Sequence, residues 1–470
     1  MLSKRRVCDA IDRAGADIEW CWNVLASLGK EKSKEASLDI ISFQKKLIGA
    51  LWILDDIYRE THAERRRLIG KKRELNASWF KKRMASLASY QEGIRHAISI
   101  AKAVGDGFAW IFYVNDTDLV DAHLNSPRQM HLPPKIGRTG ERAFVEKLQV
   151  LEGNLVIYHG ITTFLRMGDV SFYSMASLRI VNVGELKTTH LGGDEYRVTL
   201  SFIYGGKLSP VVDVSRLNVQ ERTGPAMSMQ QNDRMRRQLT QIAKATSADK
   251  DRIKQAASQS GTFYFDSLEG LIASSNNRKI SWQQVGRGLL IGTLRLSKSV
   301  SLSRRLIARR KFHVGKKLDD SEIVVKSILD PALNDNSLLI GSLGVGERGV
   351  HSLRKGTIPI FWWPIKREGL YDLIFGNVVA MTLYNPAPFW EALRAKGFEL
   401  SIGERARLIA ATKRIGNRTA TLNDFEYFQV LITHYLMSED NVISMIDAAL
   451  RFPVPDGQAM RVEISPQLRF

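Results

Sequence analysis

The chain has 470 residues, 44% of them apolar and 25% charged, enough for two or three domains with ordinary cores, which excludes intrinsic disorder and collagen-like repetition. Sixty-eight Lys and Arg against 49 Asp and Glu leave a net charge of +19 and point to a polyanionic partner, nucleic acid or an anionic membrane surface. Cys8 and Cys21 are the only cysteines, which excludes a disulfide framework and a cysteine-rich zinc site and fits a reducing, cytoplasmic compartment.

No uninterrupted apolar run of about 18 residues occurs, so no spanning segment is expected. Asp9, Asp12, Asp17 and Glu19 fall where the apolar region of an export signal would lie, and no such signal is read. Between about 38 and 104 there is no proline, and Ile41, Leu47, Leu51, Leu54 and Ile57 recur at helical spacing. This predicts helical hairpins or a small bundle, within a helical N-terminal region over 1–132. Its basic clusters, Arg65, Arg66, Arg67, then Lys71, Lys72, Arg73, then Lys81, Lys82, Arg83, suit either a solvated helix face or a phosphate backbone.

After Pro133 and Pro134 the pattern predicts a helix over 140–151 and strands over 154–158, 169–173, 178–187 and 196–204. A second helix is expected over 228–245, where Met229, Met235, Leu239 and Ile242 share a face. Residues 133–250 therefore read as an α/β core. Residues 251–470 read as a basic α+β region becoming helical over the last hundred residues. Within it, 287–317 holds ten basic residues and no acidic one, and Arg304, Arg305, Arg309, Arg310, Lys311, Lys316 and Lys317 are the candidate nucleic-acid contacts. Phe361, Trp362 and Trp363 suit a buried aromatic cluster better than a stacking platform.

The sharpest feature is Gly184-Glu185-Leu186-Lys187 at the end of an apolar strand, the only Glu-x-Lys in the chain. Strand alternation puts Glu185 and Lys187 on one face and Leu186 on the other. Asp169, in Arg166-Met167-Gly168-Asp169-Val170, opens the preceding strand. A hairpin centred at Ser177 would set it across from Glu185. Two carboxylates and an ammonium at one spot suit a hard divalent cation, magnesium or alternatively manganese, with the lysine beside water and a phosphate. That is a phosphodiester-hydrolysing arrangement. Glu141, in Gly137-Arg138-Thr139-Gly140-Glu141, can add a third carboxylate or simply favour the start of its helix.

Glu141 on the first helix, Asp169 on the second strand and Glu185-Leu186-Lys187 on the third resemble the PD-(D/E)XK, or restriction-endonuclease-like, nuclease superfamily over about 136–245. Gly168 stands where many members carry proline. The resemblance implies a short mixed sheet flanked by helices, Asp169 and Glu185 as metal ligands, Glu141 as a further ligand, and Lys187 at the attacking water. It implies DNA rather than RNA as substrate, and a polar residue on the next helix, for which Gln231, Arg234 and Gln238 are candidates. Restriction, repair, recombination and defence employ this core, and a bacterial anti-phage or restriction-type effector is the expected setting. The alternatives are a non-catalytic nucleic-acid-binding module and an interaction scaffold, with homo-oligomer or protein partners left open.

Gly344-Val345-Gly346-Glu347-Arg348-Gly349 matches a dinucleotide fingerprint in letters only, because Gly356 and Pro359 make the adjoining segment poor helix material. His190 is the one histidine close to Lys187 in sequence and reads better as a surface or packing residue. His159 and Arg166 are candidates for phosphate contact.

Overall fold

An apolar stripe at spacings of three and four needs a partner, and the N-terminal third supplies three such helices to one another. The computed structural model describes residues 1–27, 34–126, 132, 136–147, 150–151, 153–192, 195–204, 207–208, 212–213, 262–276, 280–296, 301–309, 338–344, 353, 357–403, 408–416, 418–422 and 425–451. These divide into two compact units, Met1–Asp251 with Ser352–Lys355, and Arg252–His351 with Gly356–Phe470. No described helix is long and apolar enough to cross a membrane.

In the first unit, α1 (Lys4–Ser27) buries Val7, Ile11, Ile18, Cys21 and Leu25. α2 (Lys34–Gly70) buries Phe43, Leu47, Leu51 and Leu54. α3 (Ala77–Tyr113) is the central helix, buried nearly all round from Ile94 to Ala109, and Phe108 stacks on Phe43 at 4.3 Å between ring centroids. Asn76 caps it, its side chain accepting the Trp79 N–H at 3.0 Å. Glu64 of α2 ties the bundle together, accepting from the Leu2 N–H at 2.7 Å and from the Arg83 guanidinium at 2.7 Å. α4 (Thr117–Leu124) and α5 (Ile136–Lys147) come next.

The sheet of this unit runs in chain order: β1 (Val150–Leu151), β2 (Asn154–Tyr158), β3 (Val170–Ser174), β4 (Arg179–Gly192), β5 (Glu195–Tyr204) and β6 (Lys207–Leu208), with β7 (Val212–Asp213) also pairing β5. Every described pairing is antiparallel. The expected mixed sheet is therefore not what the described strands form. β3 and β4 are joined by a short turn over 175–178, which dictates an antiparallel pair, and the helix expected over 228–245, which could have supplied a crossover, lies outside the described residues. The helical region and this sheet belong to one unit: Phe112 of α3 packs edge-on against Tyr173 of β3 at 5.0 Å.

β1 is only two residues long and leaves the outer edge of β2 open beyond Leu155. Gln44 of α2 closes it, donating to the Val156 carbonyl and accepting the Tyr158 N–H, both at 2.8 Å, as the peptide group of a strand would.

The second unit holds α6 (Phe265–Ser274), β8 (Ser281–Gln284), β9 (Leu289–Arg295), α7 (Leu302–Arg309), β10 (Leu339–Leu343), α8 (Arg367–Ile374) and β11 (Val378–Tyr384). It continues with α9 (Ala387–Ala395), β12 (Glu399–Ile402), β13 (Leu408–Ile415), β14 (Arg418–Leu422), α10 (Phe425–Tyr435) and α11 (Glu439–Arg451). One antiparallel sheet runs β10-β11-β9-β8 and a second runs β12-β13-β14. The last hundred residues are thus not simply helical. β11 is buried at all but one position and mostly apolar, a pattern that also suits a buried helix, and β12 to β14 are short and lack a clean alternation, with Ile402 and Ile409 exposed. Phe361 and Trp363 are buried, the latter against Phe265 and Tyr435, so the aromatic run serves this unit's core.

Replacing Gln44 with Leu keeps the packing volume but leaves the Val156 carbonyl and the Tyr158 N–H buried without partners. The expected cost is about 2–4 kcal/mol, read as a lower denaturant midpoint of the first unit at unchanged slope.

Candidate active site

The hairpin of β3 and β4 sets the site. Val170 pairs Gly184, Ser171 pairs Val183 and Phe172 pairs Asn182, before a bulge and a turn over 175–178. Extending that register by one residue places Asp169 opposite Glu185. The Asp169 N–H donates to the Gly184 carbonyl at 2.8 Å, and there the ladder stops. Gly168 turns the chain away from β4 with φ +65, and a Cβ on it would lie 2.6 Å from the Gly184 carbonyl oxygen. Only glycine meets both demands, which accounts for its place before Asp169.

The next N–H of β4 that would have joined the ladder is that of Leu186, and the Asp169 carboxylate takes it, through Oδ2 at 2.7 Å. One side chain thus ends a strand pair and is held against the backbone of Glu185-Leu186-Lys187. Glu185 pairs Ser201 and Lys187 pairs Thr199 on β5, so both side chains are on one face. Asp169, Glu185 and Lys187 are all half-buried.

Glu141 reaches the sheet from the other side. α5 crosses β4 at Gly140, which lies so close on Thr188 that a Cβ there would overlap its hydroxyl. Thr188 shares its face with Leu186 and Gly184, opposite Glu185 and Lys187. Glu141 is 7% exposed, and its Oε2 accepts the hydroxyl of Tyr158, which sits on that same face across from Val170. Burial, then the charge and hydrogen bond of Glu141, then the charge of Asp169, push the Tyr158 hydroxyl well above its usual range, so it remains a donor. Among the described residues no three His, Cys, Asp or Glu side chains converge as a metal-holding group, and Glu141 therefore does not complete one with Asp169 and Glu185.

Behind the hairpin lies a buried polar chain whose proton directions can be assigned. The backbone N–H groups of Arg166 and Met167 both donate to His123 Nδ1, at 3.1 and 3.0 Å, which places the ring proton on Nε2. That proton faces the Tyr113 hydroxyl at 3.4 Å, Tyr113 donates to Ser171 Oγ, and Ser171 donates to His159 Nε2 at 2.6 Å. His159 Nδ1 then donates to the Gly168 carbonyl at 3.2 Å. The loop from 159 to 169 is gripped at both ends. Asp106 adds two bonds to Thr163, at 2.6 Å each, and the His159 N–H donates to the Asp169 carbonyl at 2.9 Å.

His159 and Arg166, read from the sequence as phosphate contacts, serve this loop instead. His159 is 4% exposed, and the Arg166 guanidinium donates to the carbonyls of Thr163, Leu124 and Ser126. Sequence reasoning missed Gln44, Asp106, Tyr113, His123, Tyr158 and Ser171. Nothing local marks them, since their partners lie from 10 to 114 residues away. The side chain of His190, and all of Gln231, Arg234 and Gln238, lie outside the described residues.

In the second unit, Arg304 is exposed and Arg305 half-buried on α7, which Arg309 closes. Arg310, Lys311, Lys316 and Lys317 lie outside the described residues. Two other members of the basic stretch are structural: Arg295 pairs Asp372 at 2.6 Å, and Arg287 pairs Asp440 at 3.1 Å. Gly344, with φ +94, ends β10, and the rest of the glycine-rich run lies outside the described residues.

Compared with known proteins, the chain matches no family model, no curated protein and no solved structure.

Two outcomes are expected. Gly168→Ala should loosen the 159–169 loop, visible as faster amide exchange at Leu186, whose acceptor depends on that turn. Burial pushes the His159 imidazole down to about 4, and burial, then His159, then Arg166, push His123 well below its usual range. Because the unfolded histidines take up protons near 6.5 and the folded ones do not, the first unit should lose stability as pH falls. The loss expected between pH 7.5 and 5 is about 2 kcal/mol per histidine, measured by hydrogen exchange. A flat profile there would contradict the neutral chain.

Proposed function

We propose that this chain is a metal-dependent nuclease that hydrolyses phosphodiester bonds, most readily in DNA, with Asp169, Glu185 and Lys187 as its working residues. The observation that carries the reading is the Asp169 carboxylate held on the Leu186 N–H, beside Glu185 in register and with Lys187 on the Glu185 face. The antiparallel sheet and flanking helices are compatible with the PD-(D/E)XK resemblance in the order of the elements.

The donor set fits a hard divalent cation. Magnesium is commonly held by one or two carboxylates plus substrate phosphates and water, so Asp169 and Glu185 suffice without Glu141 as a third ligand. Such an ion, when bound, supplies Lewis-acid polarisation of the phosphate and acidifies water. The protein's own contribution is positional. Leu186 N–H fixes one carboxylate, the strand fixes the other, and the Lys187 ammonium stands where charge developing on a phosphate oxygen is stabilised. Glu141 would act through Tyr158, shaping the opposite side of the hairpin. A restriction-type or anti-phage role is the setting in which this activity would operate.

The test is incubation of the full chain with closed circular DNA, linear DNA and RNA, with magnesium, with manganese and with chelator. Cleavage that requires the metal and drops about a hundredfold or more in Asp169→Asn, Glu185→Gln and Lys187→Ala is the expected result. Intact substrate under every condition, or cleavage indifferent to all three variants, would overturn the reading.

A further inference from the structure

The basic clusters of the N-terminal region converge at one place in the fold. α2 ends and α3 begins around a short connection at 71–76, and no residue between 69 and 86 is buried. Arg66, Arg67, Lys71, Lys72, Arg73, Lys81 and Lys82 are all exposed there, and among the described residues none of these seven side chains is in an ion pair or hydrogen bond. The neighbouring cations are different in kind. Arg83 is engaged by Glu64 at 2.7 Å and Arg65 by Gln91 at 3.1 Å, both turned into the bundle. Between 66 and 82 the only acidic residue is Glu74.

Seven cations with no described ion pair or hydrogen bond, within about two helical turns of a connection, repel one another, and between 66 and 82 Glu74 is the one carboxylate among them. A surface of this kind is stabilised by a polyanion. A membrane-surface helix needs a continuous apolar face beside its basic one, and the tip offers only Ile69 and Trp79 as exposed large apolar side chains. Phosphates spaced along a strand match cations spread around a hairpin end better than a flat headgroup layer does.

We infer that the tip of the α2–α3 hairpin is a docking surface for the phosphate backbone of nucleic acid. It adds a substrate-binding surface to the nuclease reading without depending on its chemistry. From Gln44 on α2 to its end at Gly70 the helix runs about 39 Å, and from Asp106 on α3 back to Ala77 about 44 Å. That is somewhat more than one turn of duplex. A bound duplex touching both the tip and the sheet would therefore span more than one turn, which makes the hairpin an arm that holds substrate away from the scissile bond.

Binding is measured in chelator, so that cleavage plays no part. The probes are a labelled 20-base-pair duplex DNA, the same sequence as a single strand, and vesicles of phosphatidylserine with phosphatidylcholine. Full-length wild type is compared with Lys71→Ala/Lys72→Ala/Arg73→Ala and with a charge-matched control, Arg394→Ala/Lys396→Ala/Arg414→Ala, whose three side chains are exposed in the second unit. The tip variant loses no described contact, and an unchanged helical circular dichroism spectrum confirms its fold. The expected result is about tenfold weaker binding to duplex or single strand for the tip variant alone, with the slope of log affinity against log salt reduced by about 3. Equal loss in the control, no loss in the tip variant, or tip-dependent binding to vesicles but not to nucleic acid would overturn the inference. Loss of cleavage in the Asp169→Asn protein with binding intact would leave it standing.

Discussion

When β3 leaves the sheet, the N–H of Leu186 still needs an acceptor, and the carboxylate of Asp169 is that acceptor. A backbone donor in a half-buried hairpin costs free energy if left unmade, so this bond is enforced by the same requirement that builds the ladder. Its effect is to fix a charged side chain to the strand that carries Glu185 and Lys187, without another loop having to place it. Gly168 makes the geometry accessible by turning the chain at positive φ in a space too tight for a side chain.

The rest of the first unit can be understood as holding that turn. The loop running from His159 to Gly168 buries Ile161, Phe164, Leu165 and Met167, and the protein also fixes its backbone with hydrogen bonds to helices far away in sequence. His123, Tyr113, Ser171 and His159 form one chain of donors with a single sense, beginning at the N–H groups of Arg166 and Met167 and ending at the carbonyl of Gly168. Both ends of the chain are backbone atoms of the same loop. The central helix α3 supplies Tyr113 and Asp106, and α2 supplies Gln44, so the bundle and the sheet order each other. A buried network of this kind is costly when incomplete, and here each neutral histidine accepts through one ring nitrogen and donates through the other.

The strands 154–158 and 170–174, the long β4 and the turn near 177 were legible because their apolar alternation and their breaks are local properties. So was the placing of Asp169 across from Glu185, since a hairpin centred near Ser177 sets those two residues opposite one another. The direction of Glu141 was not legible. Helix α5 lands on the Thr188 face because Gly140 lets it, and that depends on a contact between residues 48 positions apart. The strands over 378–422 escaped for a related reason: β11 is buried on both faces, and periodicity alone cannot separate a buried strand from a buried helix.

The placement of Glu141 bears on what the two faces of the hairpin can do. On one face Glu185 and Lys187 alternate outward, with Asp169 pinned at their edge. On the other a buried carboxylate is stabilised by a phenol that cannot readily ionise, and the Tyr158 ring covers the start of the loop at Gly160. A carboxylate buried at 7% exposure is poorly placed to exchange its phenolic donor for an ion and its water shell, because the desolvation already met by the Tyr158 hydrogen bond would have to be met again by the ion. The division of labour comes from burial rather than residue type. Under the proposed function, Asp169 and Glu185, half-buried and adjacent, would be the pair to hold a hydrated cation, while Glu141 is buried in the packing of α5 against β2 and β4.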